Sequence, residues 1–357
     1  MSNGTENFSP SRLKEFCSAL LEKTGIPSGD ADLIAEALIR ANLRGVDSHG
    51  VIRIPIYIKR LKKGLVNPTP KITILREMPA MAVMDGNNGF GQVIATRAME
   101  LAIAKARKVG VGLVGIRNST HFGAAAFFSM MALKHEMIGI VLANSYATVA
   151  PWGGRAPYFG TNPMSIAVPA GQELPVVLDM ATSVASLGKI LLAAQKGEPI
   201  PAGWAVSPDG EVTTDAAKAL NGALLPFGGP KGSAISLLID VVAGLLTGAA
   251  FGTHVGDLYK NMERPQNVGQ MMGAINISCF SDGNEFKNRM DTMIRELKSV
   301  PPAKGVSEVL LPGEIEARTH QRREAEGIPL NPTMIAELYQ LGEEYGVPWI
   351  GSPPASR

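Results

Sequence analysis

The sequence predicts an α/β chain in which helices from both ends come together around a central mixed sheet. Three observations carry this expectation. Helical periodicity dominates both ends, short strand-like apolar runs fill the middle, and a glycine motif suggestive of dinucleotide binding stands in the wrong order for a Rossmann turn.

Apolar residues recur at helical spacing over Ser11 to Lys23, Ala31 to Leu43, Gln92 to Lys108, Ala124 to Glu136, Ser233 to Leu246, Glu285 to Leu297 and Pro332 to Tyr345. Between them lie apolar runs short enough for strands: MAVMD from Met81, VGLVGI from Val111, IGIVLANS from Ile138, MSIAVP from Met164, VVLDM from Val176, INISCF from Ile275 and VLLPG from Val309.

The motif in question lies in KVGVGLVGIRNSTHFG, a literal G-x-G-x-x-G at Gly110, Gly112 and Gly115. A Rossmann fingerprint needs a strand before the glycines and a helix after them, so that the helix N-terminus faces the pyrophosphate. Here Val93, Ala95, Ala98, Met99, Ala102 and Ala106 trace a helix upstream, basic residues fill its last turn, and Gly110 stands at the C-cap. VGLVGIRN then reads as a strand. The glycines end a helix and enter a strand, so no Rossmann site is expected here.

The 357 residues suffice for two or three lobes. At 45% hydrophobic, 18% charged and a net charge of +2, the composition is that of an ordinary enzyme and gives no electrostatic reason to expect a nucleic-acid partner. Cys17 and Cys279 match no zinc or redox spacing, which points to reduced thiols and a cytoplasmic protein. MSNGTENFSPSRLKEF has no apolar core or cleavage-like site, so no secretory signal is expected. The run from Ser233 to Phe251 is nearly apolar, but Asp240 interrupts it and no second span accompanies it. A buried helix is expected rather than a membrane partner, with Gly244-x-x-x-Gly248 suited to close packing or a subunit interface.

None of the five histidines shares a metal-ligand spacing with another and no carboxylate cluster completes a site, so no metal is expected. A G-x-S-x-G elbow is also absent. DSHGVIRIPIY gathers Ser48, His49, Arg53 and Tyr57. In a helix, His49, Arg53 and Tyr57 would share one face, with Pro55 tolerated only near its start. Such a cluster is either a solvated face or, if it converges, a carboxylate-binding corner built on a bidentate arginine. His121 follows the strand from Val111, where a catalytic or a structural histidine would both fit. DGNNGFGQ and LLPFGGPKGSAIS each open a helix. In the second, Lys231 lies beside helix N-terminal amides, which suits a phosphate seat or a plain capping turn.

In order along the chain, VDSHGVIRIPIY, DGNNGFGQ, RNSTHFGAA, ANSYATVAPWGG, FGTNPMSIAVP, VVLDMATS, LLPFGGPKGS and LLPGEIE resemble the malate/L-lactate dehydrogenase family. That family includes ureidoglycolate dehydrogenase, sulfolactate dehydrogenase, diketogulonate reductase and piperideine-2-carboxylate reductase. The resemblance implies a non-Rossmann NAD(P)-binding fold that interconverts 2-oxo and 2-hydroxy acids, or reduces cyclic imino acids. It makes His121 the acid/base, for which an imidazole near pKa 6.5 would suit both directions. It makes Arg53 the carboxylate clamp and puts Ser48, His49 and Tyr57 around the substrate. The cofactor positions it implies are Ser145, Thr161, Asn162, Asp179, Met180, Ala181, Lys231, Pro312, Gly313 and Glu314.

It further implies a homodimer with a small carboxylate substrate. Three lobes follow: residues 1–77 with 285–357, 78–135 with 225–284, and 136–224. Leu187 stands where many relatives carry a polar or basic residue, which favours NAD over NADP. Imino-acid reduction is the alternative within catalysis. An idle small-molecule binding protein is the alternative of another class, and the presence of His121, Arg53 and Lys231 together argues against it.

Overall fold

Seven strands form one mixed sheet in the order Thr73–Glu77, Met81–Asp85, Val111–Ser119, Val268–Asn276, Met137–Ala143, Met164–Val168 and Val176–Met180. The protein is seen in a computed structural model that describes residues 5–260 and 262–353; both ends of the expected terminal lobe, 1–4 and 354–357, lie outside the described residues. Only Met81–Asp85 and Val111–Ser119 run parallel. A parallel pair needs a crossover, and the helix Gly91–Val109 supplies it.

That crossover accounts for the glycine motif. The helix ends on Gly110, whose φ of 89° is left-handed, and the strand starts at Val111. A Cβ on Gly112 would sit 2.0 Å from the carbonyl oxygen of Ala102 on the same helix. These glycines cap a helix and let it lie against the sheet.

Five of the seven strand-like runs form strands of this sheet. INISCF is mostly not a strand: pairing ends at Asn276, whose side chain accepts from the Ser278 amide and starts a 3₁₀ turn at Ile277–Cys279. The central strand lies just upstream, in VGQMMGAIN. It pairs on both edges and is buried on both faces for most of its length, so it shows no alternation to read. VLLPG forms no strand and leads into the helix Glu314–Glu326. The Thr73–Glu77 strand went unpredicted because it is an edge strand exposed throughout.

Ala124 to Glu136 is not one helix but a short one, Ala126–Ser129, continued by a 3₁₀ stretch at Met130–His135. The apolar run forms a helix at Pro230–Ile239 that widens into a π-helical segment at Asp240–Leu245. Buried Asp240 is satisfied there by the Asn144 side-chain amide and the Gly252 backbone N–H, each at 2.8 Å. The expected burial holds for one face only. Leu237, Leu238, Val241, Leu245 and Leu246 are exposed. Among the described residues no helix is long and apolar enough to cross a membrane.

The chain ends meet as expected. Glu6–Phe8 pairs antiparallel with Ile328–Leu330, and Leu13, Leu20, Leu38, Ile335 and Leu338 share one apolar cluster. Each fully buried side chain of this kind contributes roughly 1.5–3 kcal/mol. Ile54 and Tyr57 belong to the same cluster, so the terminal helices form the floor under the DSHGVIRIPIY segment. A small three-stranded sheet, Ala205–Val206, Val212–Thr213 and Ala223–Leu224, stands apart with its own cluster around Val149, Ile190 and Leu224.

Candidate active site

After the helix Ser28–Leu43, two 3₁₀ turns, Asp47–His49 and Val51–Arg53, lead into the helix Ile54–Lys62. His49 therefore lies outside the helix on which Tyr57 sits, and Arg53 is that helix's N-cap residue. The single helical face expected from the spacing is replaced by a sharper bend. Asn42 holds it: Oδ1 accepts from the Val51 amide at 2.9 Å, and Nδ2 donates to Asp47 at 2.6 Å. A Cβ on Gly50 would fall 2.1 Å from Asn42 Oδ1, so only glycine lets the bend close on that amide. Arg323 also grips the Asp47 carboxylate, fastening the bend to the helix Glu314–Glu326.

His121 arrives from the sheet, on the loop after Val111–Ser119. Thr120 Oγ1 donates to the Gly89 carbonyl and accepts from the Gly91 amide, both at 3.0 Å. The loop is thereby locked to the DGNNGFGQ turn. The His121 amide donates to Gln266 Oε1 at 3.1 Å.

The two segments converge. Tyr57 Oη lies 2.7 Å from His121 Nδ1, and the His49 and His121 rings stack with centroids 5.6 Å apart. Ser48 Oγ is 2.9 Å from His49 Nδ1. The Arg53 guanidinium lies over the Tyr259 ring, 5.6 Å from its centroid. Its Nε is buried and has no hydrogen-bond partner among the described residues. A buried cationic donor of this kind favours an anionic ligand.

This environment changes the acid–base properties that the sequence suggested. Burial, then Arg53, then His49 hold His121 well below its ordinary value of 6.5. Burial and Arg53 push His49 down to about 3. Burial raises Tyr57 to about 12, against opposing effects of Arg53 and the Gln92 hydrogen bond. The expectation of an imidazole near 6.5 at position 121 is thus corrected: with Arg53 unneutralised, both rings are neutral at pH 7.

A cleft of about 470 Å³ opens beside these groups, and His49 lines it. Of the residues expected at the cofactor, Thr161, Asp179, Met180, Ala181, Pro312 and Gly313 line the cleft. Ser145, Asn162, Lys231 and Glu314 do not. Ser145 and Asn162 brace its wall: Ser145 Oγ accepts from the Thr161 amide at 3.0 Å, and buried Asn162 bridges Ser145 to Ser236. Lys231 lies exposed in the first turn of Pro230–Ile239. Glu314 uses its carboxylate on Lys298 and on the Leu311 amide, which shapes the turn at Pro312 and Gly313.

Burial raises Asp179 to about 6, opposed by the Ala126 amide and Arg44. Arg44 and Glu316 also line the cleft, and neither was singled out in the sequence. Gln92, Tyr146, Tyr259 and Gln266, which surround Tyr57, Arg53 and His121, were likewise missed. Gln92 closes a motif that could have flagged it, whereas Tyr259 and Gln266 come from a segment without regular pattern or recognisable motif. Among the described residues no cluster of His, Cys, Asp and Glu could hold a metal ion.

Comparison with known proteins finds relatives over nearly the whole chain. The sequence profile described as malate/L-lactate dehydrogenase matches residues 8–339. L-sulfolactate dehydrogenase of Methanothermobacter thermautotrophicus is 43% identical, over 95% of this chain and 97% of that protein. Malate dehydrogenase of Pyrococcus abyssi is 41% identical over 94% of each. The solved sulfolactate dehydrogenase of Methanocaldococcus jannaschii superposes with a TM-score of 0.91 at 42% identity, covering 96% of this chain and 98% of that one.

Proposed function

The chain belongs to the malate/L-lactate dehydrogenase family of NAD(P)-dependent hydroxy-acid oxidoreductases, and from that premise we propose how its own residues divide the work. Arg53 grips the substrate carboxylate through its two-pronged guanidinium. His121 exchanges a proton with the substrate oxygen, taking it from the hydroxyl in oxidation and returning it in reduction. Ser48, His49 and Tyr57 enclose the substrate between them. The observation that carries this reading is the position of His49, which stacks on His121 and also lines the cleft, so that the acid/base pocket and the cleft are one continuous site.

The cleft's groups fit a dinucleotide. The helix Glu314–Glu326 opens on Gly313 without a side-chain cap, and the first-turn amides of a helix have no partners within it. Those amides suit a pyrophosphate, while Asp179 suits a sugar hydroxyl or an amide donor; Lys231, which does not line the cleft, would have to reach the cofactor from outside it. When bound, the nicotinamide supplies or accepts the hydride. The chain's residues orient the substrate, keep water away and move the proton. NAD is favoured over NADP because Leu187 provides no cation where many relatives carry a polar or basic residue.

The exposed leucines of the Pro230–Ile239 helix and its π-helical continuation support a homodimer that covers them. The free thiols Cys17 and Cys279 suit the cytoplasm. The three-lobe division stays part of this proposal, supported by the separate apolar clusters of the chain ends, the crossover helix and the small sheet.

The decisive experiment follows NADH and NADPH absorbance with oxaloacetate, pyruvate, sulfopyruvate, the oxidised product of ureidoglycolate, and cyclic imino acids. Turnover of a 2-oxo acid is the expected result. Turnover of imino acids alone would replace this reading with imine reduction, and no turnover at all would favour an idle binding protein.

A further inference from the structure

Gln92 is fully buried in the first turn of the crossover helix, between Gly91 and Val93 and beside Ile94 and Ala95, all of them buried. An amide costs free energy in such surroundings unless its hydrogen bonds are made. Gln92 makes one of them toward the acid/base pocket: Nε2 donates to Tyr57 Oη at 2.9 Å. The same phenol oxygen meets His121 Nδ1 at 2.7 Å. Gln92 Oε1 is buried with no partner among the described residues. A side chain kept there with its carbonyl oxygen unmet is poorly explained by packing alone.

The chain of contacts has a chemical consequence. A phenol oxygen carries one proton and two lone pairs. Gln92 donates into one lone pair and leaves the other for the imidazole: for Nε2 to take the substrate proton in oxidation, Nδ1 must carry the ring hydrogen and donate it to that second lone pair. The phenol holds Nδ1, and the tautomer of a histidine is set by the hydrogen bond made at the nitrogen away from the chemistry. Nε2 is then the nitrogen left for the substrate.

We propose that Gln92 is a positioning residue for the acid/base His121, acting through Tyr57 to hold one ring orientation and one tautomer. This rests on the reading of His121 given above. Three side chains from three separate segments are needed: the crossover helix, the Ile54–Lys62 helix and the loop after Val111–Ser119.

The test is a double-mutant cycle with Gln92→Leu, which keeps the bulk and removes both polar atoms, and Tyr57→Phe, which removes the bridging hydroxyl. Each should lower kcat on the order of tenfold or more with the dissociation constant for NADH little changed, and Gln92→Leu, which removes no group placed against the substrate, should also leave the KM for the 2-oxo acid little changed. The double variant should be no worse than Tyr57→Phe alone, because Gln92 has no other route to the ring. In histidine-labelled protein, the nitrogen resonances that vanish in His121→Ala should report one tautomer in the wild type and a mixture in Gln92→Leu.

Unchanged kcat in Gln92→Leu, losses that simply multiply in the double variant, or unaltered His121 resonances would each overturn the proposal. Full turnover in His121→Ala would instead sink the acid/base assignment itself. A Gln92→Leu protein that binds NADH normally is folded, and Tyr57→Phe with its resonances provides a second check that leaves the helix untouched.

Discussion

Tyr57 and His121, 64 residues apart in the chain, share a hydrogen bond of 2.7 Å between Oη and Nδ1. The bond joins a bend built on the terminal helices to a loop delivered by the central sheet, so the site exists only when both parts of the fold are assembled. It also occupies the ring's Nδ1 and, in the function proposed above, leaves Nε2 for the substrate.

His121→Ala should therefore remove proton transfer without disturbing the cleft, which His121 does not line. Turnover should fall about a hundredfold or more, the scale for losing a positioned general acid/base. NADH affinity, followed by fluorescence titration, should stay close to wild type. A parallel loss of NADH binding would mark the histidine as structural.

The elements that could be read from the sequence are those whose environment is one-sided. Gln92 to Lys108 shows its buried stripe and its glycine cap, and Met81–Asp85 alternates, so both were legible. The central strand Val268–Asn276 is buried on both faces for most of its length and scatters Gly269, Gln270 and Gly273 among its apolar residues, which hides it from any periodicity rule. At the site, the motifs around His49 and His121 were visible. Their meeting was not, because it depends on Asn42 folding the chain back at Gly50 and on Thr120 locking the loop to the Gly89 turn. The depressed histidine pKa values were invisible for the same reason, since they come from burial and from Arg53 brought close in space.

The pH profile follows from those values. As the base in oxidation, His121 must be neutral, and a group whose pKa is lowered stays neutral further into acid. The kcat/KM for the 2-hydroxy acid, which reports the free enzyme, should hold its plateau below pH 6.5 and fall only at lower pH. His49, itself pushed down to about 3, is uncharged over most of this range, so replacing it by Asn should leave the acid limb close to its wild-type position, and burial and Arg53 remain the controlling causes. Profiles measured from pH 4 to 8 on both proteins decide this. An acid limb already at or above 6.5 in the wild type would show that burial and Arg53 do not control the ring.

Gly112 separates the packing role of the glycine motif from a binding role. A Cβ there would lie 2.0 Å from the Ala102 carbonyl oxygen, so Gly112→Ala must push the crossover helix off its strand. The cost of such overpacking is roughly 1–3 kcal/mol, visible as a lower Tm. NADH affinity of the folded protein should be unchanged. A variant with normal Tm and weakened NADH binding would restore the fingerprint reading.

The exposed leucines predict assembly. Leu238 and Leu246 are 61% and 67% exposed on the helix and its π-helical continuation, an apolar face with no cover in a single chain. Sedimentation should find the wild type dimeric and the Leu238→Glu, Leu246→Glu double variant monomeric, since two buried unpaired carboxylates per subunit oppose association. Equal masses for the two proteins would place the interface elsewhere.

Arg53 gives the sharpest test of the substrate reading. Its guanidinium is deeply set between Tyr57, Tyr146 and Tyr259, and its buried Nε lacks a partner among the described residues, so a bound carboxylate would complete its hydrogen bonding. Arg53→Lys keeps the charge but loses the fork, and a point-like ammonium cannot make the two-pronged contact. Affinity for the acid should fall, and turnover with it, because the grip on the carboxylate also sets the reacting carbon against the nicotinamide. NADH binding should be spared. The control is a substrate analogue with an amide in place of the carboxylate. Wild-type enzyme should reject it strongly, since the amide leaves the buried cation uncompensated, and Arg53→Ala should lose most of that discrimination. If the two proteins distinguish acid from amide equally well, Arg53 does not hold the carboxylate.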